Sequence, residues 1–209
     1  MKNFVKGLVW LVAFLGALAG IVYATIFDFY VIPSDDIAQS LSFAPSLSAG
    51  DVLLLKRHGG PVRRDIVRCP DPQAKGRFVV GRVLGITGDH VTVEQGHAWV
   101  NEDVVLTARG CDRGRKAFDP TSGDTRDFTC EVERIKGSDR DTEVLVDKLR
   151  TEPRWEATVE PGKVAIVSDN RSAHVDSRDH GQLDASSCSV IAFRIWTTDP
   201  DQSRIWAVR

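Results

Sequence analysis

The stretch FVVGRVLGITGDHVTVEQGHAWV at residues 78–100 decides the fold of this chain. Its first part, residues 78–84, is rich in valine and predicts a buried strand. Its last part predicts a hairpin, because the alternating segments 90–93 and 97–100 flank a short Glu-Gln-Gly turn. The stretch therefore indicates antiparallel β structure.

Similar short runs recur along the chain, at residues 51–56, 65–68, 163–167 and 189–197. Turn residues precede two of them, Gly50 in one case and the pair Pro161-Gly162 in the other. Short strands punctuated in this way are typical of an antiparallel sheet system or a partly closed barrel. No long amphipathic helix pattern follows residue 30, so we expect a mainly β domain.

The N-terminal segment carries a different signal. Residues 7–27 form a span of 21 residues with no charged side chain, and about 20 apolar residues cross the hydrocarbon core of a bilayer as a helix. Lys2 and Lys6 precede the span and Asp28 follows it. Since positive charge normally stays in the cytoplasm, we expect a cytoplasmic N-terminus at residues 1–6. The transmembrane anchor would then occupy residues 7–27 of the cytoplasmic (inner) membrane, and residues 28–209 would form an extracytoplasmic domain.

Two other interpretations of this span are weaker. A cleaved leader is one, because Ala17-Leu18-Ala19 resembles a cleavage site, but the apolar run continues to Phe27. A buried core helix is the other, although such helices usually show a polar face.

The region from about residue 107 to 154 differs from the rest, because it is charged and poor in apolar runs. We interpret it as an inserted subdomain. It contains Cys111 and Cys130, a candidate disulfide, since an extracytoplasmic site permits such bonds. For Cys69 and Cys188, pairing and buried thiols both remain open.

The composition excludes several function classes. The 209 residues carry a net charge of -2, which gives no basic excess for nucleic acid binding. The four cysteines include no Cys-x-x-Cys pair, so no zinc pattern is present. No glycine-rich segment matches a phosphate-binding loop. We expect no metal and no cofactor.

Residues 40–51 read SLSFAPSLSAGD and resemble the nucleophile box of type I signal peptidases, P-S-x-S-M-x-P-T-L-x-x-G-D. The resemblance implies that Ser42 is the nucleophile. It also implies that Ser40 lines the oxyanion hole together with the backbone N–H of Ser42. An alternative register begins at residues 32–36, but it lacks the later proline, leucine and Gly-Asp, and it places an aspartate at the nucleophile position.

Residues 81–89, GRVLGITGD, are similar to the family block K-R-V-I-G-L-P-G-D. The lysine of this block is the family's general base, and burial lowers its pKa so that it can accept the serine proton. Gly81 occupies that position here. The neighbouring Arg82 cannot replace the lysine, because a guanidinium stays protonated.

Residues 168–178, SDNRSAHVDSR, are similar to the family block G-D-N-R-x-x-S-x-D-S-R. The resemblance implies a supporting ion pair between Asp176 and Arg178. The residues Asp169, Asn170 and Arg171 would give structural support to the site. His174 stands where the family has the serine that hydrogen-bonds the catalytic lysine.

With three such blocks in this order behind a membrane span, the chain resembles the type I signal peptidases, a family of membrane-anchored serine peptidases. The resemblance implies action on leader peptides of exported precursors at the outer face of the cytoplasmic membrane. Its partners would be those precursors and membrane lipid. No block matches the region from about residue 107 to 154.

The missing lysine leaves several hypotheses open. In one, His174 is a relocated base for Ser42, with Asp176 fixing its tautomer as in a Ser-His-Asp arrangement. In another, the chain is an inactive paralogue that serves as a chaperone or assembly factor for an exported or pilus-like protein. Weak activity through water or substrate assistance is a third, and a single-pass membrane β domain that only binds a partner is a fourth. The distance from His174 to Ser42 tests the first hypothesis against the fourth: the relocated base fails if the histidine cannot reach Ser42 directly or through one water.

Overall fold

The computed structural model describes residues 2–34, 41–107, 115–118, 125–135, 141–147, 149 and 151–197. One long helix, α1 (Lys2–Ile26), comes first, and strands follow it. The strands are β1 (Phe27–Val31), β2 (Val52–Lys56), β3 (Ile66–Pro70), β4 (Phe78–Ile86), β5 (His90–Glu94), β6 (His97–Val100), β7 (Val104–Thr107), β8 (Arg115–Phe118), β9 (Thr125–Ile135), β10 (Thr142–Val146), β11 (Trp155–Thr158), β12 (Lys163–Val167), β13 (Leu183–Asp184) and β14 (Ser189–Trp196). A short helix α2 (Ser177–His180) lies between β12 and β13.

The largest sheet has seven strands in the order β1-β2-β14-β3-β4-β12-β13, all paired antiparallel. Strand β4 is buried along nearly its whole length, as its valine-rich sequence predicts. It pairs with β3 on one side and β12 on the other, so the residues of the second block lie in the middle of the sheet.

The predicted hairpin of β5 and β6 forms a second sheet together with β11. This sheet packs closely on β4 at Gly85. A Cβ atom at that position would lie 2.4 Å from Val91 and 2.8 Å from Val159. These distances are too short for a side chain, so the close packing requires glycine. The hairpin and β12 enclose a core of Leu84, Val93, Ala98, Val100 and Val167 with their neighbours.

The region interpreted as an inserted subdomain forms a sheet of its own, in which β9 pairs with β7, β8 and β10. Apolar side chains of this sheet, Phe128, Cys130 and Leu145, pack against Ala44 and Ala173. Two of the three blocks therefore contact the inserted sheet directly.

The anchor joins the main sheet without a linker, because Phe27 is the first residue of β1 and pairs with Lys56 of β2. The backbone N–H of Arg57 donates to the carbonyl of Ile26 at 2.8 Å, which fixes the end of the helix. The apolar part of α1, Phe4–Ile26, is long enough to cross a membrane and is unburied. The apolar run extends to Phe27, but the helix ends one residue earlier because that residue belongs to the strand ladder.

A disulfide joins Cys69 of β3 to Cys188, the residue before β14, which decides between the two alternatives left open for these residues. Cys130 is disulfide-bonded as well. Its expected partner, Cys111, lies outside the described residues.

The predicted fold class is confirmed: one N-terminal apolar helix is followed by a mainly β chain with antiparallel sheets, and no sheet in the described part closes into a barrel. The predicted strands at residues 51–56, 65–68, 78–84 and 163–167 all occur, with small shifts at their ends. The sequence interpretation missed β1, β11, β13 and the strands of the inserted sheet.

Candidate active site

Ser42 lies in a buried cavity at the centre of the three blocks and is fully inaccessible to solvent. Its backbone carbonyl accepts a hydrogen bond from the N–H of Asn170 at 3.2 Å. The cavity is about large enough for one water molecule. Its lining comes from all three blocks and from β3: Ser42, Phe43, Ser46, Leu47, Ile66, Gly81, Arg82 and Asp169.

Gly81 reaches this cavity from β4. Its backbone does not adopt a left-handed conformation, so its conformation does not require glycine. A Cβ atom added here would lie 3.4 Å from Ile166 side-chain atoms and from the carbonyl of Val167, at the inner limit of ordinary van der Waals contact. A longer side chain therefore has space to begin at this position.

An ion pair between Arg82 and Asp169 connects the second block to the third inside the same cavity. Nε and Nη2 of Arg82 donate to the two carboxylate oxygens of Asp169 at 2.9 and 2.7 Å. Burial alone would lower the pKa of Arg82, but the charge and hydrogen bonds of Asp169 outweigh it and raise that pKa above its ordinary value. The hydroxyl of Ser46 also donates a hydrogen bond to Asp169. This carboxylate therefore also fixes the nucleophile segment, residues 41–51 of the first block.

A second buried pair fixes the end of the nucleophile segment. Nη1 of Arg194 on β14 donates to Asp51 at 3.0 Å and to the carbonyl of Ser46 at 3.1 Å. The sequence interpretation missed Arg194. Bulges interrupt β14 on either side of the pair Phe193 and Arg194, so alternation along the strand does not show that Arg194 is buried. The signal in the sequence is an arginine within the apolar strand predicted at residues 189–197, because an arginine in such a place is buried only with a partner.

The third block pairs with the inserted sheet. The N–H of Leu145 donates to the carbonyl of Asp169 at 2.9 Å, and the N–H of Arg171 donates to the carbonyl of Leu145 at 2.8 Å. The amide oxygen of Asn170 accepts from the N–H groups of Ser172 and Ala173. The inserted sheet thus supports the same turn that contacts Ser42.

Arg171 extends this support through a buried ion pair, with Nη2 2.5 Å from Glu133 of β9. Burial raises the pKa of Glu133 above its ordinary value, and the charge of Arg171 only partly offsets that effect. The sequence interpretation did not find Glu133, because it assigned no motif to the inserted region.

Asp176 and Arg178 form the ion pair that the third block implies, with Nη2 of Arg178 2.8 Å from the carboxylate. Asp176 also accepts from the N–H of Ser168 at 2.7 Å and caps α2. Burial would raise the pKa of Asp176, but Arg178 and these hydrogen bonds lower it to about 2.

Comparison with known families agrees with this geometry. Residues 4–196 match the family model described as signal peptidase, peptidase S26. The match begins in α1, ends in β14 and includes all three blocks. The chain belongs to the signal peptidase family. A search of curated protein sequences gave no match.

His174, which replaces a serine of the signal peptidase block, has both ring nitrogens directed at carboxylates. Nδ1 lies 2.7 Å from Asp179 and Nε2 lies 3.3 Å from Glu152. Burial opposes protonation of the ring, but the hydrogen bonds to Asp179 and Glu152 outweigh it and raise the pKa of His174 to about 9. His174 is therefore a cation at neutral pH, and it bridges the third block to the segment that leaves the inserted sheet.

This arrangement differs from the one that a relocated base requires. The ring of His174 makes no hydrogen bond to Ser42, and the carboxylate at Nδ1 belongs to Asp179 rather than to Asp176. A group that is protonated at neutral pH cannot accept the serine proton. Among the described residues that line the cavity, Arg82 and Asp169 are the ionisable ones, and they are bonded to each other.

Two further points concern the predicted oxyanion residue Ser40 and the cluster of His174 with Asp176 and Asp179. Ser40 lies outside the described residues. His174, Asp176 and Asp179 bring their side-chain atoms close enough together to hold a metal ion. However, the carboxylate of Asp176 already accepts hydrogen bonds from Arg178 and from the N–H of Ser168. These three residues are arranged as ion pairs.

Proposed function

We propose that the chain is a signal peptidase-like protein that binds the leader segments of exported precursors at the outer face of the cytoplasmic membrane, and that none of its described residues acts as a general base for cutting them. The observation that carries this proposal is the cavity that Ser42 shares with Gly81. It retains the nucleophile position but contains no neutral nitrogen base in the described part of the chain.

The chemistry of serine acylation explains why this matters. A serine hydroxyl is a weak nucleophile until an adjacent base takes its proton. General base catalysis contributes about 100-fold to 10,000-fold to such reactions. Without it, the oxyanion donors (the N–H of Ser42 and, by resemblance, the hydroxyl of Ser40) would leave at most slow cleavage. Binding of the leader segment does not need the base.

Membrane placement supports the same substrate class. The apolar helix α1, with Lys2 and Lys6 before it, favours a cytoplasmic N-terminus. The disulfide between Cys69 and Cys188 favours an extracytoplasmic domain. Ser42 follows Phe27 by only 15 residues in the sequence, so its cavity would stay near the membrane surface, where leader segments emerge.

An exposed apolar face on the main sheet fits a lipid surface. Strand pairing puts Phe29, Leu54 and Phe193 in one row and Val31, Val52 and Trp196 in the next. Phe29, Val31, Phe193 and Trp196 are each about half exposed, at 45–55%. Apolar surface of this kind, rimmed by polar residues, marks interaction or membrane sites. We propose that this apolar face contacts the outer leaflet beside α1.

A competing proposal keeps peptidase activity, with Ser42 as nucleophile, His174 as base and Asp176 in support. The family membership favours it, and Ser42, Asp176 and Arg178 are the residue types that the family blocks have at these positions. It requires the ring of His174 to leave Glu152 and Asp179 and to lose its proton before it can serve Ser42.

The test compares binding and cleavage of one leader-bearing precursor by the native protein, Ser42→Ala and His174→Ala in lipid vesicles. We expect the native protein to retain the precursor without cutting it, and Ser42→Ala to retain it equally. Cleavage by the native protein that both substitutions abolish would instead establish the relocated base. Cleavage that only Ser42→Ala abolishes would place the base elsewhere. If the native protein neither bound nor cut the precursor, both proposals would be refuted.

A further inference from the structure

A basic segment is fixed at the outer end of the membrane helix. The segment KRHGGPVRR, residues 56–64, contains two lysine or arginine residues at each end, a histidine, and no acidic residue. Arg57 ties its start to the helix, because its N–H donates to the carbonyl of Ile26 at 2.8 Å and its Nε donates to the carbonyl of Phe27 at 3.0 Å. The segment therefore begins where α1 ends.

Not all of these charges are neutralised by the protein. Arg57 lies 3.5 Å from Asp28, and Arg63 is paired with Asp89. Lys56 and His58 are exposed and make no ion pair with any described carboxylate. The corner formed by Lys56, Arg57 and His58 thus has positive charge available for a ligand.

The position of Lys56 connects this corner to the apolar face. Lys56 follows Val52 and Leu54 on the same side of β2, and strand pairing sets it between Phe27 and Val190. Tyr23, in the last turns of α1, packs against Phe27 and Phe29 with ring centroids 5.4 and 5.8 Å away. A long cationic side chain at the edge of apolar surface beside aromatic residues is typical of the membrane–water interface.

We propose that the corner of Lys56, Arg57 and His58 binds the phosphate of an anionic lipid headgroup, such as that of phosphatidylglycerol. The proposal rests on the membrane placement of the proposed function. Basic residues near an anionic leaflet each strengthen attachment, and the end of α1 sets this corner at headgroup depth. Binding there would hold the main sheet, and with it the cavity of Ser42, at a fixed height above the bilayer.

The experiment measures lipid binding to the full-length protein in detergent micelles by native mass spectrometry. Phosphatidylglycerol and phosphatidylcholine with identical acyl chains are the two probes. The variants are Lys56→Gln/His58→Gln and Lys56→Arg. The matched control is Lys75→Gln, which removes an exposed charge from the turn between β3 and β4, at the same edge of the main sheet as Lys56 but two strands away from β2. Thermal unfolding of each variant verifies that it is folded.

We expect the native protein to prefer phosphatidylglycerol by about fivefold or more, the factor that one basic side chain contributes. The double variant should lose this preference, whereas Lys56→Arg and Lys75→Gln should keep it. Equal binding of the two lipids by the native protein, or an unchanged preference in the double variant, would overturn the proposal. So would displacement of the lipid by millimolar inorganic phosphate, which would identify a site for the free ion.

This readout uses no precursor. A lost lipid preference would leave leader binding by the proposed function intact. Failure to bind or cut a precursor would likewise leave the lipid measurement valid.

Discussion

Nδ1 of His174 lies 2.7 Å from the carboxylate of Asp179. By the family resemblance, this position belongs to a serine that hydrogen-bonds the catalytic lysine. The opposite side of the ring faces Glu152 at 3.3 Å. The ring therefore links the third block to the end of the inserted region. Its charge state determines whether it is a base or a structural cation.

The first prediction concerns this charge. The folded-state pKa of His174 is raised from 6.5 to about 9, so the ring stabilises the fold fully below pH 6.5 and loses this contribution as the pH rises through 9. His174→Gln should lower the free energy of unfolding by about 1–2 kcal/mol at pH 6. The difference from the native protein should shrink by pH 10.

The direct measurement is the titration of the His174 ring proton by NMR, assigned through His174→Gln. His58→Gln is the matched control, since that histidine is exposed and unpaired among the described residues. A pKa of His174 below 7 would contradict the prediction and would make the relocated base chemically reasonable.

How much of this site could be predicted from sequence depends on the kind of residue. Arg82, Asp169 and Asp176 lie in blocks whose spacing matches the family, and the structure brings the first two together beside Ser42. Arg194 and Glu133, which pair with Asp51 and Arg171, were missed, because each is distant in sequence from its partner and belongs to a strand with no motif. Long-range ion pairs depend on strand order, which local patterns do not determine.

The same physical reason applies to the fold. Strands β4 and β12 were predicted because their apolar runs are buried on both faces. The edge strand β1 was missed: its first residue, Phe27, was assigned to the anchor, and no element was predicted for residues 28–31. The strands of the inserted sheet carry many charges, so their alternation was not recognised.

The second prediction restores the missing base. Gly81→Lys should give cleavage of a leader-bearing precursor at a rate at least about 100-fold above the native protein, because the new side chain begins beside the cavity of Ser42. The rate should rise with pH through the lowered pKa expected of a buried lysine. Adding His174→Ser, which restores the serine of the block, should increase the rate further.

Gly81→Met fills the same space without an amine and should stay inactive, as should Gly81→Lys combined with Ser42→Ala. Folded Gly81→Lys protein that binds the precursor but never cuts it would mean that the site has lost more than its base.

The third prediction concerns the buried pair of Arg171 and Glu133, whose side chains are 1% and 4% exposed. Breaking a buried pair leaves an uncompensated charge and costs about 3–5 kcal/mol, whereas replacing both partners by apolar residues costs less. Glu133→Leu should therefore destabilise the protein more than Glu133→Leu/Arg171→Met. Urea unfolding in detergent at pH 7 measures the difference.

The same pair predicts a pH dependence. In Arg171→Met, Glu133 loses its cation, and the pKa of Glu133, already raised by burial, should rise further. The folded state then holds a proton that the unfolded state releases, so stability falls as the pH increases above the ordinary pKa of glutamate. The variant should therefore be more stable at pH 5 than at pH 8, relative to the native protein, and equal values at both would contradict this account.

The fourth prediction tests the disulfide between Cys69 and Cys188, which are separated by 119 residues in the sequence. A crosslink that closes a long loop stabilises mainly by restricting the unfolded chain, and its removal typically costs 2–5 kcal/mol. Cys69→Ala/Cys188→Ala should therefore unfold at a lower temperature than the native protein. Both sulfurs belong to buried residues, so a reducing agent should remove this difference only once the protein is unfolded and refolded in its presence. A double variant as stable as the oxidised native protein would show that the sheet does not depend on this bond.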